Sequence, residues 1–430
     1  MKVCVFGLWH LGSVTAACLP RYGVDTIGLD TDSITIANLS EAIPPLHEPG
    51  LPELVAEGLR SGRLHFTTDA KTAVSAADLV WVTIDTPVND DDVADTGFVE
   101  TAVARNIFPH VKSGAVILVS SQMPVGSMAR LEQAFATVAN GRQVGFACSP
   151  ENLRLGKAIS VFTNPGRIIV GVRNDDARAR LEPLLAPICE TILWIGVESA
   201  EMTKHALNAF LATSITFANE IATICERVGA DSSEVEKAIQ SDPRIGTQSY
   251  VRAGFGFGGG TLARDVRYLE QAASQQHVTL QVLGSVLESN EAHRHWAFNR
   301  LTSLLGGLKG KRIALLGLSY KPGTDAIRRS VAVDLIRLLS EVGAVITAFD
   351  PKVAELPPKL RATIAASAKD ALKGADAAIV ATEWPDFREL AAEEFKALMA
   401  RPLVLDQSRF LAARLSGRMG LEYVTTGRAI

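Results

Sequence analysis

The sequence predicts an α/β protein: two Rossmann-like domains, each a doubly wound parallel sheet, joined by a helical middle domain with one long central helix. Three observations predict it. Short apolar runs rich in β-branched residues alternate with helix-length segments from residue 2 to residue 171. A run from 198 to 228 then keeps helical spacing almost without glycine or proline. A new strand and turn series opens at KGKRIALLG, from Lys309. The domains predicted are a first α/β domain at 1–197, a helical middle domain at 198–300, and a second α/β domain at 301–430.

Residues 2 to 6 read as a strand running into a turn, Gly7-Leu8-Trp9-His10-Leu11-Gly12, and a helix of small residues. A second strand, DTIGLD, ends on Asp30, about twenty residues beyond the turn, where a carboxylate accepts hydrogen bonds from an adenosine ribose. Gly7, Gly12 and Asp30 are therefore candidate cofactor ligands, and the acid favours NAD over NADP. The turn departs from GxGxxG at its second glycine, which is Trp9. A large side chain there either obstructs the pyrophosphate or points elsewhere, so a sheet without cofactor is a standing alternative.

Further strands are predicted at 79–84, 115–119, 144–148 and 167–171. In a parallel sheet, ligands sit at the carboxyl ends of the strands. That singles out the turns Asp85-Thr86-Pro87, Ser121-Gln122-Met123-Pro124 and Ser149-Pro150-Glu151. On the long helix, Lys204 and Asn208 are four apart and share a face, as a solvated pair would also do. A second helical stretch is expected over 261–295. The last domain is expected to hold strands at 344–349, 377–381 and 402–405.

Between the two helical stretches lies GFGFGGGTLARD, Gly254 to Asp265, with five glycines in its first seven positions. Such a run suits neither helix nor strand and brings backbone close to a ligand. Thr261, Arg264 and Asp265 then open a helix.

Composition excludes other classes. The chain has 430 residues, 47% hydrophobic and 21% charged, and a net charge of -4, without the basic footprint of a nucleic-acid binder. No apolar run approaches the ~18 residues that span a bilayer, and the start MKVCVFG enters a strand directly. A cytoplasmic protein with no membrane or nucleic-acid partner is the expectation. Its five scattered cysteines form neither a disulfide framework nor a metal-binding pattern.

With these segments placed, the chain resembles the UDP-glucose/GDP-mannose dehydrogenase family over nearly its full length. The motifs that match in order are His47-Glu48-Pro49-Gly50-Leu51, Ser149-Pro150-Glu151, the helix from Ala200-Glu201-Met202 to Asn219-Glu220, Arg244-Ile245-Gly246, Gly254 to Gly259, and Gly317-Leu318-Ser319-Tyr320-Lys321 with Thr324-Asp325 and Arg328.

The resemblance implies oxidation of the C6 hydroxyl of a UDP- or GDP-sugar to a carboxylate, with two NAD molecules used in sequence. It implies that Lys204 stabilises the sugar oxyanion, that Asn208 helps to hold it, that Asp265 with Lys204 positions or activates a water, and that Glu151 supports proton transfer or the thioester step. Thr86, Gln122, Arg264 and Arg328 join the cofactor site. Glu151, Lys204, Asn208, Arg244, Tyr250, Gly254, Gly258 and Lys321 bind the nucleotide sugar, with Arg244 reaching a neighbouring subunit of a homodimer built through the long helix.

The departures carry equal weight. Where the family has GGSCFPKD with its nucleophilic cysteine, this chain has Gly-Gly-Gly-Thr-Leu-Ala-Arg-Asp, which puts Thr261 in the catalytic position. Gln122 replaces a threonine that bonds a catalytic water, Leu155 replaces a glutamate facing NAD, and Arg264 replaces a lysine. Asp325-Ala326 stands for paired aspartates. The family's Asp-Gly-Arg-Asn reads Asp406-Gln407-Ser408-Arg409. A dehydrogenase limited to a two-electron step is one reading. A catalytically degenerate relative that binds a nucleotide sugar or a partner subunit is another, and transient oxidation with NAD recycled is a third.

Overall fold

The computed structural model describes residues 1–87, 95–150, 153–258, 261–328 and 330–429. By its internal contacts the chain divides into two compact units, Met1–Ala206 and Leu207–Ile430.

The first unit is built on β1 (Lys2–Phe6), β2 (Asp25–Leu29), β3 (Leu64–Thr67), β4 (Leu79–Val82), β5 (Val116–Val119), β6 (Gly145–Cys148), β7 (Ile168–Val172) and β8 (Ile192–Ile195). They lie in the order β3-β2-β1-β4-β5-β6-β7-β8. The doubly wound reading holds with one correction: β7 runs antiparallel to β6, pairing Ala147 with Val172, so the sheet is not uniformly parallel. The strands β3 and β8 were not expected. Continuous apolar runs such as Leu79–Val82 and Val116–Val119 are buried along their whole length because helices cover both faces of the sheet. On one face Phe108 is wholly buried and meets Phe135 edge-on at 5.2 Å, an arrangement worth about 0.5–1.5 kcal/mol beyond area burial.

The second unit carries β9 (Arg312–Leu316), β10 (Val345–Phe349), β11 (Thr363–Ile364), β12 (Ala377–Val380), β13 (Leu403–Asp406) and β14 (Glu422–Val424), in the order β11-β10-β9-β12-β13-β14 and all parallel. It too has an apolar layer on each face.

The long helix expected from 198 spans Val197–Val228, and the chain leaves it through Gly229 in left-handed backbone at φ 78°. The helical stretch expected over 261–295 is made of two helices, Thr261–Gln275 and Gln281–Arg294. His277 ends the first in left-handed backbone at φ 57°, while Val278 N–H donates to Ala273 O, 2.8 Å, a Schellman closure without glycine.

Each sheet repeats one local device. After β1, Gly7 at φ 95° turns the chain so that Leu8 N–H donates to Asp30 Oδ2 at 2.7 Å; after β9, Gly317 at φ 97° does the same for Leu318 N–H and Asp350 Oδ2 at 2.7 Å. Neither glycine tolerates a Cβ, which would stand 2.7 Å from Ile84 Cγ1 in the first turn and 2.4 Å from Thr382 Cβ in the second.

Candidate active site

In the first unit the turn after β1 keeps the close helix approach that its outer glycines, Gly7 and Gly12, allow. A Cβ on Gly12 would fall 1.8 Å from Gly7 O, so the helix His10–Cys18 can approach the turn only with glycine there. Asp30 accepts from Leu8 N–H and from Asp32 N–H at 3.0 Å, leaving part of its four-lone-pair capacity for a ribose hydroxyl. Trp9 adopts φ -72°, open to any residue, and is 47% exposed. The glycine cradle and the half-occupied carboxylate fit an adenosine dinucleotide.

The three turns at the strand ends are tied together. Thr86 Oγ1 donates to Gln122 O at 2.7 Å, Ser120 Oγ donates to Ser149 O at 2.6 Å, and Trp81 Nε1 donates to Ser120 Oγ at 2.9 Å. Ser121, Gln122, Cys148, Pro150, Glu201 and Lys204 line a cavity of about 20 Å³, room for one water. Glu151 and Asn152 lie outside the described residues. Glu201 accepts Gly126 N–H at 2.7 Å and Met128 N–H at 2.9 Å, which fixes the start of the helix Ser127–Val138; burial raises the pKa of its carboxyl. His205 bonds Met123 O at 3.1 Å. Lys204, half-buried between these two anchored residues, is held by its helix at the cavity wall.

Cys148 shares that cavity, but burial first, and then the charge of Glu201, pushes its thiol up to about 12. It is no thiolate at neutral pH. All five cysteines are buried.

A further anchor carried no assigned role in the sequence. Glu48, 1% exposed, accepts Gly156 N–H at 2.7 Å and Ala158 N–H at 2.8 Å and pairs with His10 Nε2 at 3.0 Å. It thereby joins the dinucleotide turn to the segment after Leu155.

In the second unit the glycine loop is clamped by side chains of two helices. Asn219 accepts Gly254 N–H at 2.9 Å and donates to Phe255 O at 3.4 Å. Asn290 accepts Phe257 N–H at 2.8 Å and donates to Phe257 O at 3.1 Å, and His293 Nε2 lies 2.7 Å from Gly254 O. Burial lowers the His293 pKa, which favours the neutral ring that donates through Nε2. Phe257 is itself buried, against Ala209, Ala212, Val266 and Val286. Sequence reasoning missed this clamp; two asparagines inside helices, where their propensity is poor, were the available signal.

Of the expected site residues, Asn208 and Asp265 are brought together, the amide Nδ2 donating to Asp265 Oδ2, with Asp265 only 1% exposed. Thr261 is the exposed first residue of its helix, one turn before Asp265, and Arg264 is half-buried beside it. Gly254 packs against Ser408, a Cβ there falling 3.4 Å from Ser408 Cβ, and Gly258 is half-buried. After β9, Lys321 Nζ lies 5.4 Å over the Tyr320 ring and Arg328 is exposed. Arg244 and Tyr250 stand outward: the Arg244 side chain is 88% exposed, paired with Asp242 at 2.6 Å, and Tyr250 is 51% exposed. Among the described residues no helix is long and apolar enough to cross a membrane, and no cluster of three or more His, Cys, Asp or Glu is placed to hold a metal.

A glycine turn beside a carboxylate with acceptor capacity left, and a cavity lined by Lys204 at the strand ends, fit a nicotinamide-dependent dehydrogenase of the two-sheet type. The chain belongs to the UDP-glucose/GDP-mannose dehydrogenase family. The family's NAD binding domain matches residues 1–189, its central domain 198–292 and its UDP binding domain 314–413. The UDP-glucose 6-dehydrogenase TuaD of Bacillus subtilis is 33% identical over 99% of this chain and 93% of its own length. The UDP-glucose 6-dehydrogenase of Rhizobium meliloti is 34% identical over 100% of both. Among solved structures, a UDP-glucose dehydrogenase from the archaeon Pyrobaculum islandicum superposes with a TM-score of 0.87 at 30% identity, covering 100% of this chain and 98% of that one. NAD is the cofactor of the family.

Proposed function

We propose that the protein oxidises C6 of a UDP-sugar with NAD and that turnover stops at the aldehyde, after one hydride transfer. The observation that carries the limit is Thr261: it opens the helix one turn before Asp265, where the family pattern has cysteine, while every cysteine of the chain is buried elsewhere. In the first step the C6 hydroxyl loses its proton to water and C6 loses a hydride, which NAD would accept when bound. Lys204 stabilises the charge that develops on the sugar oxygen, and Asn208 orients Asp265 by its hydrogen bond. Oxidation to the carboxylate then needs a nucleophile that adds to the aldehyde and leaves as an easily hydrolysed ester. A threonine hydroxyl has too high a pKa and leaves too poorly for this.

The test is NADH absorbance with a panel of UDP- and GDP-sugars. About one NADH per sugar consumed is expected; about two, at rates normal for such enzymes, would sink the limit. The second reading, a binder without turnover, draws on Trp9 at the pyrophosphate turn. Calorimetry that finds a UDP-sugar bound but no NAD bound would favour it.

A homodimer through the long helix is part of the same proposal. Phe210, Phe217 and Ile224 recur at seven-residue spacing and are 68%, 47% and 56% exposed, an apolar stripe suited to a second copy. Light scattering is expected to give twice the chain mass, and Phe217→Glu to give the monomer; a wild-type monomer would refute this.

A further inference from the structure

The family's Asp-Gly-Arg-Asn reads Asp406-Gln407-Ser408-Arg409 here, as if the arginine had moved on by one residue. The geometry excludes that substitution. Arg409 stands in left-handed backbone at φ 61°, its guanidinium turned to Asp231 Oδ1 at 2.6 Å, Ser232 Oγ at 2.9 Å and Thr426 O at 3.0 Å, with the side chain 18% exposed. It is consumed in a structural ion pair.

A different arginine arrives at the same place from the glycine loop. Arg252, two residues before Gly254, donates through its NH2 group to Ser408 O. That is its one hydrogen bond, and it has no ion pair, among the described residues; the side chain is exposed. On that same turn Ser408 Oγ and Gln407 Oε1 are buried and have no hydrogen-bond partner among the described residues. The location is the carboxyl end of β13, on the ligand-binding edge of a parallel sheet. The loop that delivers the guanidinium is fixed at Gly254 by Asn219 and His293, so the arginine is pre-positioned.

We propose that Arg252 is the phosphate-binding guanidinium of the second unit, supplying from the glycine loop the cation that position 408 lacks, its ligand being the diphosphate of a nucleotide sugar. Guanidinium groups match phosphate oxygens in paired hydrogen bonds, and four of the five N–H groups of Arg252 remain for them. The proposal rests on the nucleotide-sugar reading above.

The test measures UDP and uridine binding by calorimetry for wild type, Arg252→Asn and Arg252→Lys. Wild type is expected to prefer UDP to uridine. Arg252→Asn is expected to lose about ten- to a hundredfold in UDP affinity and none for uridine, with Arg252→Lys between them. If Arg252→Asn binds UDP as tightly as wild type, or loses UDP and uridine equally, this proposal falls and the nucleotide-sugar reading stands. If wild type binds neither compound, both fall.

Discussion

Thr261→Cys is expected to raise the yield from about one NADH per sugar to about two, and to change the product from aldehyde to carboxylate. The replacement exchanges a hydroxyl for a thiol, drops one methyl group and falls on an exposed residue at the very start of a helix of 15 residues. The helix N-terminus favours an anion, so the thiol introduced there is expected to titrate below the ordinary range for cysteine. Asp265 lies one turn along the same helix, buried and already oriented by Asn208. The thiolate sulfur bonds to the aldehyde carbon to form a hemithioacetal, C6 of that hemithioacetal would give its hydride to a second NAD, and water would hydrolyse the thioester to the carboxylate and the free thiol. The readout is NADH absorbance to completion against a limiting UDP-sugar. If Thr261→Cys still yields about one NADH per sugar, the block lies elsewhere, and Gln122 and Leu155 become the residues to restore.

Lys204→Met is expected to lower turnover by about 10²–10³-fold while UDP-sugar affinity changes by less than about threefold. Methionine keeps the apolar stem and removes the ammonium, so packing around Glu201 and His205 is preserved. The cation is worth more as charge builds on the sugar oxygen than in the ground state, which places the loss in kcat rather than in binding. Initial rates of NADH formation with calorimetric Kd values decide the matter. Turnover within about tenfold of wild type would remove Lys204 from the oxyanion-stabilising role.

How much of this was legible in the sequence depends on the range of the interaction involved. The β1 turn and Asp30 were readable because a strand, two glycines and an acid follow from local backbone rules, and the long helix because periodicity runs unbroken from Val197 to Val228. The reversal of β7 was not, because apolar strands read alike in either direction and only pairing with β6 sets their sense. His277 ended a helix without glycine or proline, so its break was hidden. The Asn208 contact to Asp265 bridges 57 positions, and the clamp on the glycine loop bridges 33 to 39. Neither leaves a trace in spacing. The arginine of Asp406-Gln407-Ser408-Arg409 shows the hazard most plainly: the nearest residue in sequence faces Asp231, and the one facing Ser408 comes from 156 positions away.

A chain that carries the same nucleotide-binding turn twice must keep its cofactor from dividing between the copies. The second carboxylate differs from the first in what already occupies it. Asp350 accepts from Leu318, Ser319, Lys352 and Val353 N–H, from Ser319 Oγ and from Trp384 Nε1, six donors for about four lone-pair sites. Its burial opposes ionisation, yet these donors outweigh burial and hold its pKa below the usual carboxylate range. An adenosine ribose arriving there would have to displace the Trp384 indole, whereas at Asp30 it meets two backbone donors and remaining acceptor capacity. The two turns thus differ in occupancy: one acid keeps acceptor capacity, and the other is already full.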